Sequence, residues 1–365
     1  MTNVREQLAT KLKERNLHTP KGTKVIKPGA VPMPTPAPQP TIPTAITRRQ
    51  SIYSNLKSVD GNDLDTVLEQ MGADFTATKV DLHFDVTEEN RVTLDDKVAV
   101  VREDDTTQYL GVIGRGRPIV QYKDALRFTE IFAQEGQAEY QYGGTVSNGA
   151  RAFLVMKASE CFEVAKGDEI TCHFFVQTSH DSSKSLTIVP TPIREKNGAV
   201  FIHPKLSVVK IKHTKNVADR MALARRSIGK IKTYFAEFEQ SFHELASVEL
   251  KDKVLQTYLE MVFPDSKDNS KQAENRRDKV KDLLMTEPSL QLPNVKGTLL
   301  GAYFAVVTFC DVYLTTRSKE GKDKLTAHID SKVAISSASA KHKAEALGFA
   351  LRMKKRLVDG NIAKH

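Results

Sequence analysis

Tryptophan is absent from the 365-residue chain, and cysteine occurs only three times. Cys161, Cys172 and Cys310 are odd in number and contain no CxxC pair, which argues against a disulfide framework or a structural zinc site. Reduced, buried thiols are the expectation. No apolar run reaches the ~20 residues that a membrane-spanning helix needs. The longest, TLLGAYFAVVTFCDV from Thr298 to Val312, contains an acid and predicts a buried helix instead. The N-terminus is charged and lacks the apolar centre of a secretory signal, so a cytoplasmic protein with no membrane contact is expected.

Catalytic signatures are missing as well. Gly114-Arg-Gly-Arg117 is followed by Pro118 and a strand-like run, not by the helix of a dinucleotide fingerprint, and no Gly-Lys-Ser/Thr of a phosphate loop is present. It reads either as a loop whose arginines touch phosphates or as a tight turn with solvated arginines. Ser179, His180 and Asp181 are consecutive, whereas a catalytic triad needs groups that converge in space, so TSHDSS predicts a polar turn between strands. Asp81, His83 and Asp85 share a strand face and could ligate a metal, but no further ligands accompany them, and a solvated face is the reading. Cys172 and His173 point to opposite faces. No cofactor and no metal is expected.

What the chain does have is concentrated positive charge. The formal net charge is +9, and the segment from Arg194 to Lys232 holds eleven Lys/Arg against two acids, which equals the whole excess. Its centre is VKIKHTKN, residues 209–216, where the pattern of a strand gives way to that of a helix. Free N–H groups at a helix start favour anions, and lysines before it add to that field. Lys210, Lys212, His213, Lys215, Arg220, Arg225 and Arg226 are the main candidates for phosphate contacts. Arg115, Arg117, Arg151 and Lys184 are secondary ones. The plain alternative is a solvated helix start balanced by distant acids. Tyr140 and Tyr142, placed on one strand face, are candidates for stacking on bases or for the core.

The order of elements predicts an α+β fold: a largely antiparallel curved sheet, then a long helix, then a helical C-terminal region. Residues 1–17 carry Val4, Leu8 and Leu12 at helical spacing, a short amphipathic helix that either docks on a partner or neighbouring subunit or packs on its own domain. Residues 18–45 hold eight of the fifteen prolines and predict an extended linker. Residues 46–246 form the α+β core with the basic junction, and 247–365 the helical region. From Val217 to Leu245, nine apolar residues recur at steps of four and three, the stripe of one long helix. The tail residues Arg352, Lys354, Lys355 and Arg356 read either as a second nucleic-acid contact or as the outer face of a closing helix.

LGVIGRGRPIVQYKDALRF, GARAFLVMK, TSHDSSKSLTIVPTPIR, IKHTKN with its long helix, and GTLLGAYFAVVTFCDVYLTTR occur in an order that resembles the uncharacterised phage/plasmid-like protein family. The similarity covers roughly residues 105–317. The family often has a cysteine before the basic junction, which is not found in PIREKNGAVFIHPKLSVVKI here. The resemblance implies mobile-element DNA metabolism in a bacterial host cytoplasm. More distantly, the order looks like phage single-strand annealing proteins, which implies homo-oligomers, rings among them, holding single-stranded DNA in a basic groove. The expected function is therefore ATP-independent binding and annealing of single-stranded DNA, with RNA as the other candidate ligand. Two other classes stay open: a phage factor that binds a host protein through its N-terminal helix or basic surface, and a nuclease or nucleotide-handling enzyme whose acids meet only in three dimensions.

Overall fold

β1 (Ala77–Thr87), β2 (Asn90–Arg102) and β3 (Tyr109–Gly114) make a three-stranded antiparallel sheet in that order. β4 (Ala138–Val146), β5 (Arg151–Ala165), β6 (Asp168–Ser179), β7 (Leu186–Pro190), β8 (Ile193–Arg194), β9 (Ala199–Val200) and β10 (Val209–Ile211) make a larger one. Its main order is β10-β7-β6-β5-β4, with β8 beside β6 and β9 beside β8. Apolar residues alternate with polar ones in β1, while β6, β7 and the first half of β5 are buried on both faces. Every pairing is antiparallel, neither sheet is closed, and the fold is α+β. The computed structural model describes residues 51–88, 90–204, 209–211, 217–266, 270–314, 324–334 and 336–358, and for 209–211 and 217–231 the course of the backbone alone. The N-terminal helix and the proline-rich linker expected from the sequence lie outside the described residues.

Helices begin and end where local chemistry allows. α1 (Leu64–Met71) is capped by Asp63, whose Oδ1 accepts from the Thr66 N–H at 2.9 Å, and stops at Gly72 with φ 65°. α2 (Tyr122–Gln134) coincides with YKDALRFTEIFAQ. α3 (Val217–Ala246) is the long striped helix. Phe235, Phe238, Phe242 and Leu245 from its second half are buried, and Phe242 meets Phe162 of β5, Phe201 and Phe304. Each such side chain contributes roughly 1.5–3 kcal/mol by leaving water. The first half of the stripe lies where side chains are outside the described residues.

The remaining helices are α4 (Asp252–Val262), α5 (Ser270–Thr286), α6 (Leu299–Val312), α7 (Lys324–His328) and α8 (Ala338–Val358). α6 is the helix foreseen in the longest apolar run, and every residue from Leu299 to Cys310 is buried. Leu154 and Met156 on one face of β5 join a core shared with α3, α6 and α8, which continues past residue 246 without a break. Phe153 and Val155 on the other face join Ile52, Tyr53, Ile329 and Val333.

One expectation about faces is overturned. Tyr140 pairs with Met156 and Tyr142 with Val155, because a bulge at Gln141 inserts an extra residue into β4. The bulge turns the two tyrosines to opposite sides of the sheet. Tyr140 is buried in the main core and bonded to Thr129, while Tyr142 packs in the second cluster. They do not form one stacking platform.

Candidate polyanion surface at one end of the sheet

β10 is an edge strand, paired with β7 in the register Val209↔Ile188, Lys210↔Thr187, Ile211↔Leu186. The chain therefore leaves the sheet at Ile211 two residues from the level of Lys184. Arg151, at the start of β5, pairs with Ser179 at the end of β6, so it stands at that same end. Two secondary candidates and the exit into the basic junction are thus brought to one rim. Lys212, His213 and Lys215 lie outside the described residues, as do the side chains of Lys210, Arg220, Arg225 and Arg226.

Two tight turns shape this rim. Ser147 and Asn148 between β4 and β5 have φ 56°, and Ser182 between β6 and β7 has φ 67°. These are the non-glycine residues with positive φ among the described residues, and such backbone costs about 1 kcal/mol or more per position. Side chains hold the turns in place. The Ser147 N–H donates to Thr326 Oγ1 at 3.1 Å, and Arg151 Nη2 to Ser147 Oγ at 3.1 Å. Ser179 Oγ bridges the second turn, accepting from the Lys184 N–H at 2.9 Å and donating to the Lys184 carbonyl at 3.0 Å. β3 also lies against this turn: a Cβ added at Gly111 would overlap Asp181.

Between the turns is an open polar cleft of about 410 Å³, lined by Arg151, Lys184, Asp181, Asp330 and three serines. Arg151 is largely buried, with Nη1 on Asp330 Oδ1 at 2.6 Å. Lys184 Nζ donates to the Ser336 hydroxyl at 3.1 Å. Two cations and two carboxylates leave the cleft near neutral, and Lys184 is its cation without a carboxylate among its described partners. The sequence carries no sign of Asp330 or Ser336 as partners, because they are 179 and 152 residues away from the residues they meet.

Other candidates are committed elsewhere. Arg115 forms an ion pair with Asp81 at 2.8 Å and donates to the Asp95 carbonyl at 2.7 Å, bracing an irregular stretch of β2 on the smaller sheet. Arg117 is exposed near it. Two members of the basic segment are neutralised within the fold. Arg194 is fully buried on Asp168, and Lys232 meets Glu160 at 2.7 Å. The count of eleven cations therefore overstates the surface charge by two. Nine Lys/Arg remain: Lys196, Lys205 and the seven from Lys210 to Lys230 around VKIKHTKN and its helix.

Ser179, His180 and Asp181 do not converge. Ser179 holds the turn, His180 is buried with its ring 4.0 Å from that of Tyr122, and Asp181 accepts from the Ser183 N–H at 2.8 Å. Burial pushes the Tyr122 hydroxyl well above its usual range, and it donates to the Gly149 carbonyl at 2.6 Å. His173, on the face opposite Cys172, is pushed down to about 4, chiefly by burial, and its Nε2 lies 3.1 Å from Gln141 Oε1. Among the described residues no group of three or more His, Cys, Asp or Glu could hold a metal ion. No helix among them is long and apolar enough to cross a membrane.

A family model described as Domain of unknown function (DUF932) matches residues 109–331, more than half of the chain. The chain belongs to this family. The DUF932 match takes in β3 to β10, α3, α6 and the residues lining the cleft except Ser336, and leaves β1 and β2 outside. No curated protein and no solved structure matches the chain.

Proposed function

We propose that this DUF932 protein binds single-stranded nucleic acid and anneals it without ATP, as a recombination protein of a phage or related element in a bacterial cytoplasm. The observation that carries the reading is convergence: β10 runs out of the sheet, toward the basic junction, at the rim that bears Lys184 and Arg151. Lys210, Lys212, His213, Lys215, Arg220, Arg225 and Arg226 supply the phosphate contacts, with Lys184 at the rim. Arg151 positions the turn through Asp330 and Ser147 rather than meeting phosphate freely. Annealing needs the backbone held by charge and the bases left accessible, and it needs no nucleophile. The resemblance to phage- and plasmid-borne proteins supports the same reading.

The test is fluorescence anisotropy of a labelled single-stranded oligonucleotide across a salt series, followed by annealing of complementary strands without nucleotide or metal. Five neutralised phosphates give a log–log slope of about −3.5. Lys210/Lys212/Lys215→Ala collapses binding, and Lys184→Ala lowers the slope by about 0.7. Absence of binding by the wild type at low salt refutes the reading.

A further inference from the structure

The smaller sheet carries apolar surface that nothing in the described fold covers. Val80, Phe84, Val86, Val92, Leu94, Tyr109 and Val112 make up seven of the ten exposed large apolar side chains among the described residues. Beyond Val98, β1 and β2 leave the body as a two-stranded arm, its residues from His83 to Asp95 mostly exposed. In β1 the even positions Val80, Leu82, Phe84 and Val86 share one face, and the odd positions Lys79, Asp81, His83 and Asp85 the other. With each side chain about half exposed, the patch is on the order of 600 Å². It lies on the face of the sheet, so pairing along an edge leaves it open. A patch of this size marks an interaction surface. A two-stranded arm is also marginal in water without a partner.

The edge says which partner fits. β1 borders the sheet, with β2 on one side only, so a row of backbone N–H and C=O groups faces outward. Two copies of β1 meeting antiparallel about Leu82 place Lys79 opposite Asp85, Asp81 opposite His83, Val80 opposite Phe84 and Thr78 opposite Val86. A shift of the centre to Asp81 sets Lys79 against His83 and Asp81 against itself. A shift to His83 sets Asp81 against Asp85 twice. Centres at Val80 and Phe84 keep one opposite-charge match each, Lys79 with Asp81 or His83 with Asp85, and the centre at Leu82 keeps the most. Within its own copy each carboxylate already has a basic neighbour toward the interior of the sheet, Arg91 for Asp85 at 2.9 Å and Arg115 for Asp81 at 2.8 Å. The second copy supplies another on the open side.

We propose that β1 pairs antiparallel with β1 of a second copy of this chain, about a two-fold axis at Leu82, joining two three-stranded sheets into one of six. A two-fold contact is closed, so it yields a dimer by itself. The proposal does not depend on nucleic-acid binding and is tested without nucleic acid.

Sedimentation equilibrium of the full chain over a dilution series reads it directly. The wild type is a dimer that dissociates on dilution. Asp85→Lys places like charges opposite Lys79 at two symmetric positions and raises the dissociation constant about tenfold or more. The double variant Lys79→Asp/Asp85→Lys restores opposite charges and returns it to near the wild-type value. Asp85 is 58% exposed, so the substitution leaves the fold intact. A second measurement uses Leu82→Cys in a Cys161→Ser background, since Cys161 is exposed. Residue 82 faces itself across the axis, so the variant forms a disulfide-linked dimer on oxidation, and Val86→Cys does not. A wild type that stays monomeric overturns the proposal. So does a dimer indifferent to Asp85→Lys, a double variant that fails to recover, or equal cross-linking at 82 and 86.

Discussion

Replacing Asp168 by Asn tests how this fold handles the charge that its sequence displays. Arg194 and Asp168 are both 0% exposed. Arg194 Nε and Nη2 donate to the two carboxylate oxygens at 2.8 and 2.7 Å, and Nη2 also to the Ser289 carbonyl at 2.6 Å. The guanidinium lies 4.6 Å over the Phe304 ring of α6. Two charges out of water attract strongly enough to offset their lost hydration only while both are present. Asp168→Asn keeps the shape and leaves a buried, uncompensated guanidinium. The expected loss is about 3–5 kcal/mol. At about 2 °C per kcal/mol for a large domain, the melting temperature falls by roughly 6–10 °C. Replacing both residues by apolar ones of similar volume is expected to recover most of this loss. Thermal and urea denaturation of the wild type, the single and the double variant supply the comparison. The slope of oligonucleotide binding against salt stays unchanged in Asp168→Asn, because Arg194 does not reach the surface. A single variant within about 1 kcal/mol of the wild type refutes the reasoning, since it would mean that water reaches the guanidinium.

Two further outcomes follow from the core. At Gly301 an added Cβ would run into the backbone carbonyl of Val295, which cannot turn aside as a flexible side chain can. Gly301→Ala therefore destabilises by about 1–3 kcal/mol, read by urea denaturation. His173 titrates near 4 in the fold and near 6.5 when unfolded. Its contribution is present above pH 6.5 and is lost as pH falls from there to about 4, because the unfolded chain takes up the proton first. The loss reaches at most about 3 kcal/mol. His173→Gln flattens that part of the stability-against-pH curve, and an unchanged slope between pH 6.5 and 4 would refute the assignment.

Local periodicity made much of this protein legible before its structure. The alternation in VDLHFDV and the span of YKDALRFTEIFAQ require only neighbours along the chain, and β1 and α2 form on them. The apolar run of α6 was long enough to specify a buried helix but too short for a membrane. Charge could be counted but not located. Arg194 and Lys232 look like their neighbours in the sequence, yet their partners Asp168 and Glu160 are strands away.

The sequence by itself determined the α+β order, the stripe of α3 and the concentration of basic residues around VKIKHTKN, because these depend on spacing and composition. Tertiary structure alone decided that Tyr140 and Tyr142 part company at a bulge, that Arg151 belongs to Asp330, and that Lys184 shares a rim with the end of β10. It also left the apolar face of β1 and β2 uncovered. The physical reason is that burial, pairing and desolvation are set by groups far apart in the chain, and only folding brings them within a few ångströms of each other.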